Sequence, residues 1–241
     1  MVRAQLFRRI SRFWPGHSGG EPRGVDLDHL AALLASPSPT ILEIGAHDGT
    51  HTCQFLQLFA TPTVHCFEPE PRALTRLQQS VSGRNRVHIH PVAVGSRSGK
   101  AHFHRSSGNH PGPNGRPMPQ GWDYSGSLRP PSRHLELYPA VKFESTLEVD
   151  VVTIDDWIRG QSLETIDLVW MDVQGAEGDV FRGMVNTLPR VRFIYTEYSN
   201  EELYEGQPNL EQLLALLPDF EVIEQYQQDV LLQRRRPQPA S

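Results

Sequence analysis

Short apolar segments alternate with helical patterns along most of this chain, and that alternation restricts the fold more than any other feature. Apolar runs at 41–44, 64–67 and 87–94 are separated by segments with helical spacing near 51–59 and 71–81. Strands that alternate with helices pair in parallel through right-handed crossovers, so we expect a doubly wound α/β sheet. Near the end of the chain, FEVIEQYQQDVLLQ predicts two strands joined by a tight turn, which adds an antiparallel hairpin to the sheet.

The length of 241 residues favours one α/β domain with short extensions. We place this domain at residues 25–233, with a Pro/Gly-rich insert at about 103–146 and a C-terminal tail at 234–241. Residues 1–24 predict a basic amphipathic helix followed by a linker, because apolar residues recur at helical spacing among arginines. Such a helix favours contact with an anionic membrane surface, and docking on its own domain is the alternative.

Charge and composition exclude several classes of protein. The net charge of -5 argues against a nucleic-acid-binding protein, which usually carries a basic surplus. No apolar run approaches the roughly 20 residues that a membrane-spanning helix needs. Cys53 and Cys66 lie in a predicted helix start and a predicted strand, so a disulfide scaffold is not indicated. We expect a cytoplasmic protein, with peripheral contact to the inner face of a membrane left open and the oligomeric state unassigned.

The first polar motif, EIGAHDGT at 43–50, runs from a predicted strand into a helix start. Gly45 and Gly49 allow the backbone close to a ligand, and the helix start supplies N–H donors without partners. The Gly-x-Gly-x-x-Gly pattern of dinucleotide folds fails, because His47 stands where its middle glycine is needed. Glu43 would repel a pyrophosphate but suits the ammonium and sulfonium groups of S-adenosylmethionine. We therefore predict a cofactor-binding turn, and the alternative is an ordinary connection between a strand and a helix without a ligand. The predicted cofactor contacts are Glu43, Gly45, Ala46, His47, Asp48 and Gly49.

The second motif places Glu68 at the end of the next strand, about 20 residues beyond the glycine turn, where a carboxylate accepts hydrogen bonds from ribose hydroxyls. Pro69 and Pro71 end this strand and leave Glu68 at the carboxyl edge of the sheet, where open α/β sheets bind ligands. After the third strand, HPVAVG predicts that Ala93 and Val94 line the adenine site. Glu68, Pro69, Ala93 and Val94 therefore join the predicted cofactor site.

Two more carboxylates follow predicted strands at the same edge. Asp172 ends the apolar run DLVWM, and it is predicted to hold the methionine ammonium of the cofactor, to position an acceptor or to ligate a divalent cation. Glu197 ends the next strand. A metal site built from these two residues with Gln174 and Glu177 stays open, because spacing in the sequence does not establish ligand geometry. We assign no metal ligand.

These motifs resemble the FkbM family of S-adenosylmethionine-dependent methyltransferases. The resemblance covers roughly residues 41–198 and rests on EIGAHDGT, FEPEP, HPVAVG, SGSL, VTIDDW and MDVQGAEGDVFRGM. It implies a class I methyltransferase with a Rossmann-like, mostly parallel seven-stranded sheet, and it implies O-methylation of sugars, glycolipids or natural products. It also implies that the glycine turn and Glu68 contact the cofactor, with Asp172 beside it. The chain departs from the family at His47, where asparagine is usual, and at Gln174, where an acidic residue is usual.

We therefore expect an O-directed methyltransferase acting on a saccharide, a glycolipid or a secondary metabolite. Methyl transfer needs alignment of the reactants and exclusion of water, and a hydroxyl acceptor also needs a base for its proton. Asp172 and Glu197 are the predicted catalytic residues, and the other candidates for the base are His47, His51, His102, His104 and His110. A nicotinamide-dependent oxidoreductase and a non-catalytic cofactor-binding module remain the alternatives.

The Pro/Gly-rich insert is the predicted substrate lid, because it leaves the domain near the carboxyl edge of the sheet. Trp122, Tyr124 and Ser127 are its predicted substrate contacts, since aromatic rings pack against the apolar faces of sugars. A surface loop without a function is the alternative. We expect that deleting residues 108–121 spoils acceptor turnover but spares cofactor binding.

Overall fold

The computed structural model describes residues 24–111 and 121–235. The predicted N-terminal helix, its membrane contact and most of the predicted tail lie outside these residues, so those assignments stay predictions. Part of the segment chosen for deletion, 112–120, also lies outside them.

The helices and strands follow the predicted alternation closely. The α-helices are α1 Leu27–Leu34, α2 Thr50–Leu58, α3 Pro71–Ser80, α4 His134–Leu137, α5 Ile154–Trp157, α6 Glu177–Arg182 and α7 Leu210–Ala215. The strands are β1 Thr40–Ile44, β2 Thr63–Phe67, β3 Val87–His90, β4 Ala93–Val94, β5 Gly99–Gly108, β6 Val141–Val152, β7 Ile166–Met171, β8 Val191–Glu197, β9 Phe220–Gln225 and β10 Asp229–Arg234. Short 3-10 helices span Ile158–Gly160 and Leu188–Arg190.

Seven of these strands form one sheet in the order β3-β2-β1-β7-β8-β10-β9. The first five are parallel, whereas β10 runs antiparallel to both β8 and β9. The strand order reverses its direction between β1 and β7, which is the point where doubly wound sheets open a ligand crevice. The predicted mostly parallel sheet with its C-terminal antiparallel hairpin is confirmed.

The two faces of the large sheet bury separate cores, because successive side chains of a strand point to opposite faces. Leu42 and Ile44 of β1 belong to the core beneath α5, α6 and α7. Ile41 belongs to the other core, which packs against α1, α2 and α3. Burial on both faces explains why the parallel strands are continuous apolar runs in the sequence.

A second, three-stranded sheet has the order β4-β6-β5, with β4 parallel to β6 and β5 antiparallel to it. The predicted insert boundaries at 103 and 146 therefore fall within long paired strands, and the Pro/Gly-rich part lies between them. Residues 147–152, the end of β6, pair with β4 and β5 and do not join the large sheet. Alternate residues of β6 are exposed, which suits a sheet covered on one side only.

Candidate active site

A cleft with about 650 Å³ of empty space opens at the carboxyl ends of β1, β2 and β7. Its other wall comes from the small sheet and from the part of the insert that follows residue 120. The lining residues are Ile44, Gly45, His47, Phe67, Glu68, Pro69, Glu70, Val92, Ala93, Val94, Phe103, Asp123, Tyr124, Gly126, Leu128, Asp172, Val173, Gln174 and Ala176. The cleft thus brings together the three polar motifs that lie far apart in the sequence.

The conformation of the glycine turn depends on its contact with the end of the neighbouring strand β7. Gly45 has φ +85°, and a Cβ atom there would lie 1.9 Å from the backbone oxygen of Asp172. The backbone N–H of Asp172 donates to the carbonyl of Ile44 at 3.0 Å, which holds the two strand ends together. Only glycine fits at this position, because any side chain would collide with the backbone at the end of β7.

Glu68 is buried and binds the glycine turn directly. Its Oε2 accepts the backbone N–H of His47 and its Oε1 accepts the backbone N–H of Glu70, each at 2.8 Å. Burial raises the pKa of Glu68, while nearby His47 opposes that shift. Each carboxylate oxygen has two lone pairs, so a free acceptor site remains on each for a pair of ribose hydroxyls. The side chain fits the role predicted for it.

Glu70, which sequence reasoning missed, lies beside Glu68 in the same wall. Its carboxylate accepts the backbone N–H groups of Arg72 and Ala73 at the start of α3, and it pairs with the guanidinium groups of Arg72 and Arg105 at 2.8 Å and 2.6 Å. These cations hold the pKa of Glu70 below its ordinary value although burial raises it. Glu70 thereby links α3 to the small sheet. The N-cap position before Pro71 was the sequence signal for it.

Glu43 does not line the cleft. It lies on the opposite face of β1 from Ile44, where its Oε2 accepts the hydroxyl of Thr52 at 2.5 Å and contacts the thiol of Cys66 at 3.7 Å. Its Oε1 is buried without a partner in the described structure. Burial raises the pKa of Glu43 to about 8. Its predicted contact with the cofactor stays a prediction.

His47 stands at the centre of a charged cluster at the mouth of the cleft. Its Nε2 lies 3.1 Å from Asp123 and 3.1 Å from the guanidinium of Arg76. Burial lowers the pKa of His47, but the carboxylates of Asp123 at 3.1 Å and Asp48 at 3.8 Å outweigh it and raise the pKa to about 9. The ring is therefore protonated at pH 7, and Nε2 donates to Asp123 rather than accepting from Arg76.

The other residues of the turn and of the neighbouring strands have local roles as well. Asp48 accepts the backbone N–H and hydroxyl of Thr50 at the start of α2, and the hydroxyl of Tyr124 donates to it at 3.4 Å. Ala46 is buried, and Gly49 is the N-cap of α2 with φ +81°. Pro69, Ala93 and Val94 line the cleft, and their predicted contacts with the cofactor stay predictions.

The three predicted substrate contacts lie in different surroundings. Tyr124 lines the cleft, and its ring lies 4.0 Å from that of His47. Trp122 is 2% exposed and donates from its indole N–H to the hydroxyl of Ser125. Ser127 is also buried, and its hydroxyl accepts the backbone N–H of Arg129. Tyr124 alone of these three reaches the cleft wall.

The carboxylates at the ends of β7 and β8 are joined by an amide. The Nε2 of Gln174 donates to Asp172 at 2.6 Å and to Glu197 at 3.1 Å. Burial, followed by the charges of Asp172 and Asp229, raises the pKa of Glu197 well above its ordinary value. Asp172 is exposed and lines the cleft, whereas Glu197 is half-buried behind it.

Glu177 stabilises the turn that precedes its own helix. Its Oε1 accepts the backbone N–H groups of Val173 and Gly175 at 3.3 Å and 3.1 Å, and burial raises its pKa to about 7. Within residues 24–111 and 121–235, no group of three or more His, Cys, Asp or Glu side chains is arranged to hold a metal ion.

A doubly wound sheet that ends in an antiparallel hairpin, with a glycine turn and an acidic second-strand end facing one cleft, defines a class I methyltransferase. A family model described as a methyltransferase FkbM domain matches residues 43–229, and the chain belongs to this family. It is also 43% identical over 211 residues to the 2-O-methyltransferase NoeI of Sinorhizobium fredii, a match that covers 86% of this chain and 84% of that protein.

Several solved structures are similar to this chain at low sequence identity. An rRNA methylase from Streptococcus thermophilus is 13% identical with a TM-score of 0.45, covering 87% of this chain and 94% of its own. An O-methyltransferase from Klebsiella pneumoniae, described as putative, is 11% identical with a TM-score of 0.47, covering 94% of this chain and 85% of its own. Fibrillarin from Aeropyrum pernix, solved with natively bound S-adenosyl-L-methionine, is 12% identical with a TM-score of 0.42, covering 86% and 71%.

Family membership confirms the resemblance drawn from the motifs, and the chain is a methyltransferase whose cofactor is S-adenosylmethionine. The nicotinamide-dependent oxidoreductase is not favoured. No helix in the described residues is long and apolar enough to cross a membrane.

Proposed function

We propose that this methyltransferase transfers a methyl group to a hydroxyl of a saccharide or of a saccharide-containing lipid. The observation that carries the proposal is the position of Asp172, a carboxylate that lines the same cleft as Gly45 and Glu68. A hydroxyl acceptor needs a base beside the methyl donor, and this side chain provides one. The 43% identical relative is a 2-O-methyltransferase by name, which supports an oxygen acceptor.

The cofactor contacts proposed for this chain follow from the walls of the cleft. The backbone at Gly45, Ala46 and His47 would hold the methionine half, and Glu68 would accept the ribose hydroxyls with its remaining lone pairs. Ala93 and Val94 form the apolar surface on the adenine side. Glu43 acts through the strand end that it supports, because its carboxylate lies on the other face of β1.

S-adenosylmethionine supplies a methyl group that is already activated by its bond to a sulfonium. The protein therefore has to align the acceptor oxygen, exclude water and accept one proton. We assign the proton to the Asp172 carboxylate, with Glu197 behind it as the second member of an acidic pair. The apolar residues Phe67, Val92 and Leu128 keep the cleft dry.

Tyr124 is the proposed saccharide contact from the insert, since its ring forms part of the cleft wall. We retain Trp122 and Ser127 as residues that hold this wall in place, Trp122 through Ser125 and Ser127 through the turn at Arg129. The acceptor is either a small molecule or a lipid-linked saccharide. For a lipid-linked acceptor, the N-terminal segment brings the enzyme to the inner face of a membrane. A nucleic-acid acceptor does not suit the net negative charge.

Calorimetry with S-adenosylmethionine and with NAD tests the cofactor part of the proposal. We expect the methylated cofactor to bind and NAD not to bind, and we expect Glu68→Gln to weaken binding at least about tenfold through lost charge-assisted hydrogen bonds. The matched control is Glu144→Gln at an exposed position of β6, which leaves the affinity unchanged. Tighter binding of NAD, or equal affinity in Glu68→Gln, would refute the cofactor assignment.

The acceptor part is tested with cofactor carrying a radiolabelled methyl group and a panel of oligosaccharides with free secondary hydroxyls. We expect label in at least one oligosaccharide, in a bond that resists alkaline hydrolysis as an ether does. Asp172→Asn should lower the rate by about 10² to 10⁴, the usual contribution of general-base catalysis. An enzyme that binds the cofactor but labels no oligosaccharide would instead support a different acceptor or a non-catalytic module.

A further inference from the structure

The side-chain amide of Gln174 has a fixed orientation. Its two N–H hydrogens serve two carboxylates, Asp172 at 2.6 Å and Glu197 at 3.1 Å. Its Oε1 lies 3.1 Å from the hydroxyl of Tyr204, whose single hydrogen it shares with the backbone oxygen of Ser125 at 2.8 Å. The opposite orientation would place the amide oxygen against both carboxylates, so the pattern of partners determines which way the amide points.

The backbone around Gln174 is built to hold this amide in place. Gln174 has φ +54°, an uncommon conformation for a residue with a side chain, and Gly175 has φ +91°. A Cβ atom on Gly175 would lie 2.8 Å from the ring of Tyr204, so the ring packs directly on the turn. The left-handed conformation of Gln174 costs free energy, and the contacts with Tyr204 offset that cost.

Tyr204 extends the same chain of hydrogen bonds to the insert. The ring is 1% exposed, and its hydroxyl lies 2.8 Å from the backbone oxygen of Ser125. Ser125 is itself held by the hydroxyl of Ser106 in β5 and by the indole of Trp122. A continuous path of contacts therefore joins the insert, the small sheet and the acidic pair at the ends of β7 and β8.

The charges around the acidic pair are mostly negative. Glu197 faces Asp172 on β7, Asp229 on β10 and Glu177 on α6, while Tyr204 packs nearby and His51 of α2 faces Asp172. Like charges at these distances disfavour ionisation of both carboxylates together. Donors from Gln174 stabilise the ionised form without adding a charge, which a carboxyl group at the same position does not do.

We propose that Gln174 is a positioning residue for methyl transfer: its amide donors hold the carboxylates of Asp172 and Glu197 in a fixed relative orientation, and Tyr204 holds the amide against the insert. This inference rests on the proposed function, because it takes Asp172 as the group that receives the acceptor proton. A neutral donor here adds no third negative charge to the pair, and the insert stabilises the same arrangement.

Two substitutions at Gln174 separate the effect of losing the amide donors from the effect of adding a negative charge. Gln174→Met keeps the length of the side chain but removes both donors, and Gln174→Glu keeps the reach but adds a third acidic group. In single-turnover methyl transfer to an oligosaccharide acceptor, we expect the ascending limb of the pH profile to move up by about one unit in Gln174→Met and further in Gln174→Glu, because each raises the pKa of the pair. The affinity for S-adenosylmethionine should change less than about threefold in both.

The matched control is Gln212→Glu, which makes the same change of charge at an exposed position of α7 and should leave the pH profile in place. Tyr204→Phe should move the limb in the same direction as Gln174→Met by a smaller amount. Superimposable pH profiles of the wild type, Gln174→Met and Gln174→Glu would overturn the proposal, and so would an equal shift in Gln212→Glu.

A second readout needs no acceptor. The ¹³C carboxyl signal of Glu197, assigned through Glu197→Gln, is titrated by NMR in the enzyme with bound S-adenosylmethionine. We expect its midpoint to rise in both Gln174 variants and not in Gln212→Glu, and an unchanged midpoint would overturn the role of Gln174. Absence of methyl transfer by the wild type with a normal NMR response would instead refute the proposed function, so the two failures are distinguishable.

Discussion

The buried carboxylate of Asp123 accepts a 2.7 Å hydrogen bond from the guanidinium of Arg76, which joins the insert to helix α3 across the mouth of the cleft. The same carboxylate lies 3.1 Å from His47. These two cations hold the pKa of Asp123 below its ordinary value although burial raises it. The insert therefore contacts the glycine turn through His47 as well as helix α3 through Arg76.

We predict that Asp123→Asn weakens the binding of S-adenosylmethionine several-fold and destabilises the protein by about 3 kcal/mol, because it leaves two cations near a buried site without their carboxylate. Calorimetry and urea unfolding measure the two effects. Glu148→Gln is the control, since it breaks an exposed ion pair with Lys100 and should cost at most about 1 kcal/mol. Equal affinity in wild type and Asp123→Asn would show that the insert does not support the cofactor site.

The contact between β1 and β7 predicts the outcome of a glycine substitution. Gly45→Ala would place a Cβ atom 1.9 Å from the backbone of Asp172, and we expect a loss of about 4 kcal/mol or failure to fold. Gly83→Ala is the control, because Gly83 also has positive φ but has no atom within 4 Å of the added Cβ. It should cost only about 1 kcal/mol. Similar unfolding free energies for the two variants would contradict the steric explanation.

Stacked histidines at the edge of the large sheet predict sensitivity to acid. His65 lies 3.2 Å from His90, and burial, followed by the neighbouring charges of His88 and His90, lowers the pKa of His65 from 6.5 to about 4. The folded state therefore disfavours the protonated ring. Its contribution to stability is complete above pH 6.5 and falls by about 1.4 kcal/mol per unit as pH decreases toward 4.

Urea unfolding between pH 7 and pH 4.5 measures this slope. His65→Gln should flatten it, whereas His102→Gln, at an exposed position of β5, should leave it unchanged. A slope that is the same in His65→Gln and in the wild type would assign the acid sensitivity to other groups.

Glu43 predicts a conflict between stability and binding. Burial raises its pKa from 4.5 to about 8, so the carboxylate destabilises the fold as pH rises through that interval. Without cofactor, Glu43→Gln should stabilise the protein at pH 7 by up to about 3 kcal/mol and have little effect at pH 4.5. Urea unfolding tests this, and equal stability of the two proteins at pH 7 would contradict it. If the Glu43 carboxylate supports cofactor binding, calorimetry will show weaker binding of S-adenosylmethionine by Glu43→Gln.

The sequence predicted the local features well because they depend on neighbours in the chain. His47 of the glycine turn and Glu68 are 21 positions apart in the sequence. The expected crossover between β1 and β2 brings the backbone N–H of His47 into a hydrogen bond with the Glu68 carboxylate. The alternation of a strand also contained a signal for Glu43, since it points away from the face that Ile44 shares with the cleft.

Other parts of the site depend on pairings that no local pattern encodes. The antiparallel register of β5 and β6 joins residues as far apart as Gly99 and Val151, and it converts the edges of a predicted loop into a second sheet. The partners of Asp123 come from two other segments, so its side chain gave no sign of them in the sequence. The Tyr204 hydroxyl likewise reaches Ser125 only after the chain has folded back on itself.

Two residues, Pro91 and Val92, connect β3, an edge strand of the large sheet, to β4 of the small sheet. Val92 also lines the cleft, so the seam between the two sheets passes through the binding site. A ligand bound at this junction contacts both sheets and stabilises their arrangement relative to each other. Occupancy of the cleft should therefore merge the unfolding of the two sheets into one more cooperative transition, so that the methyl donor becomes part of the mechanical framework of the enzyme.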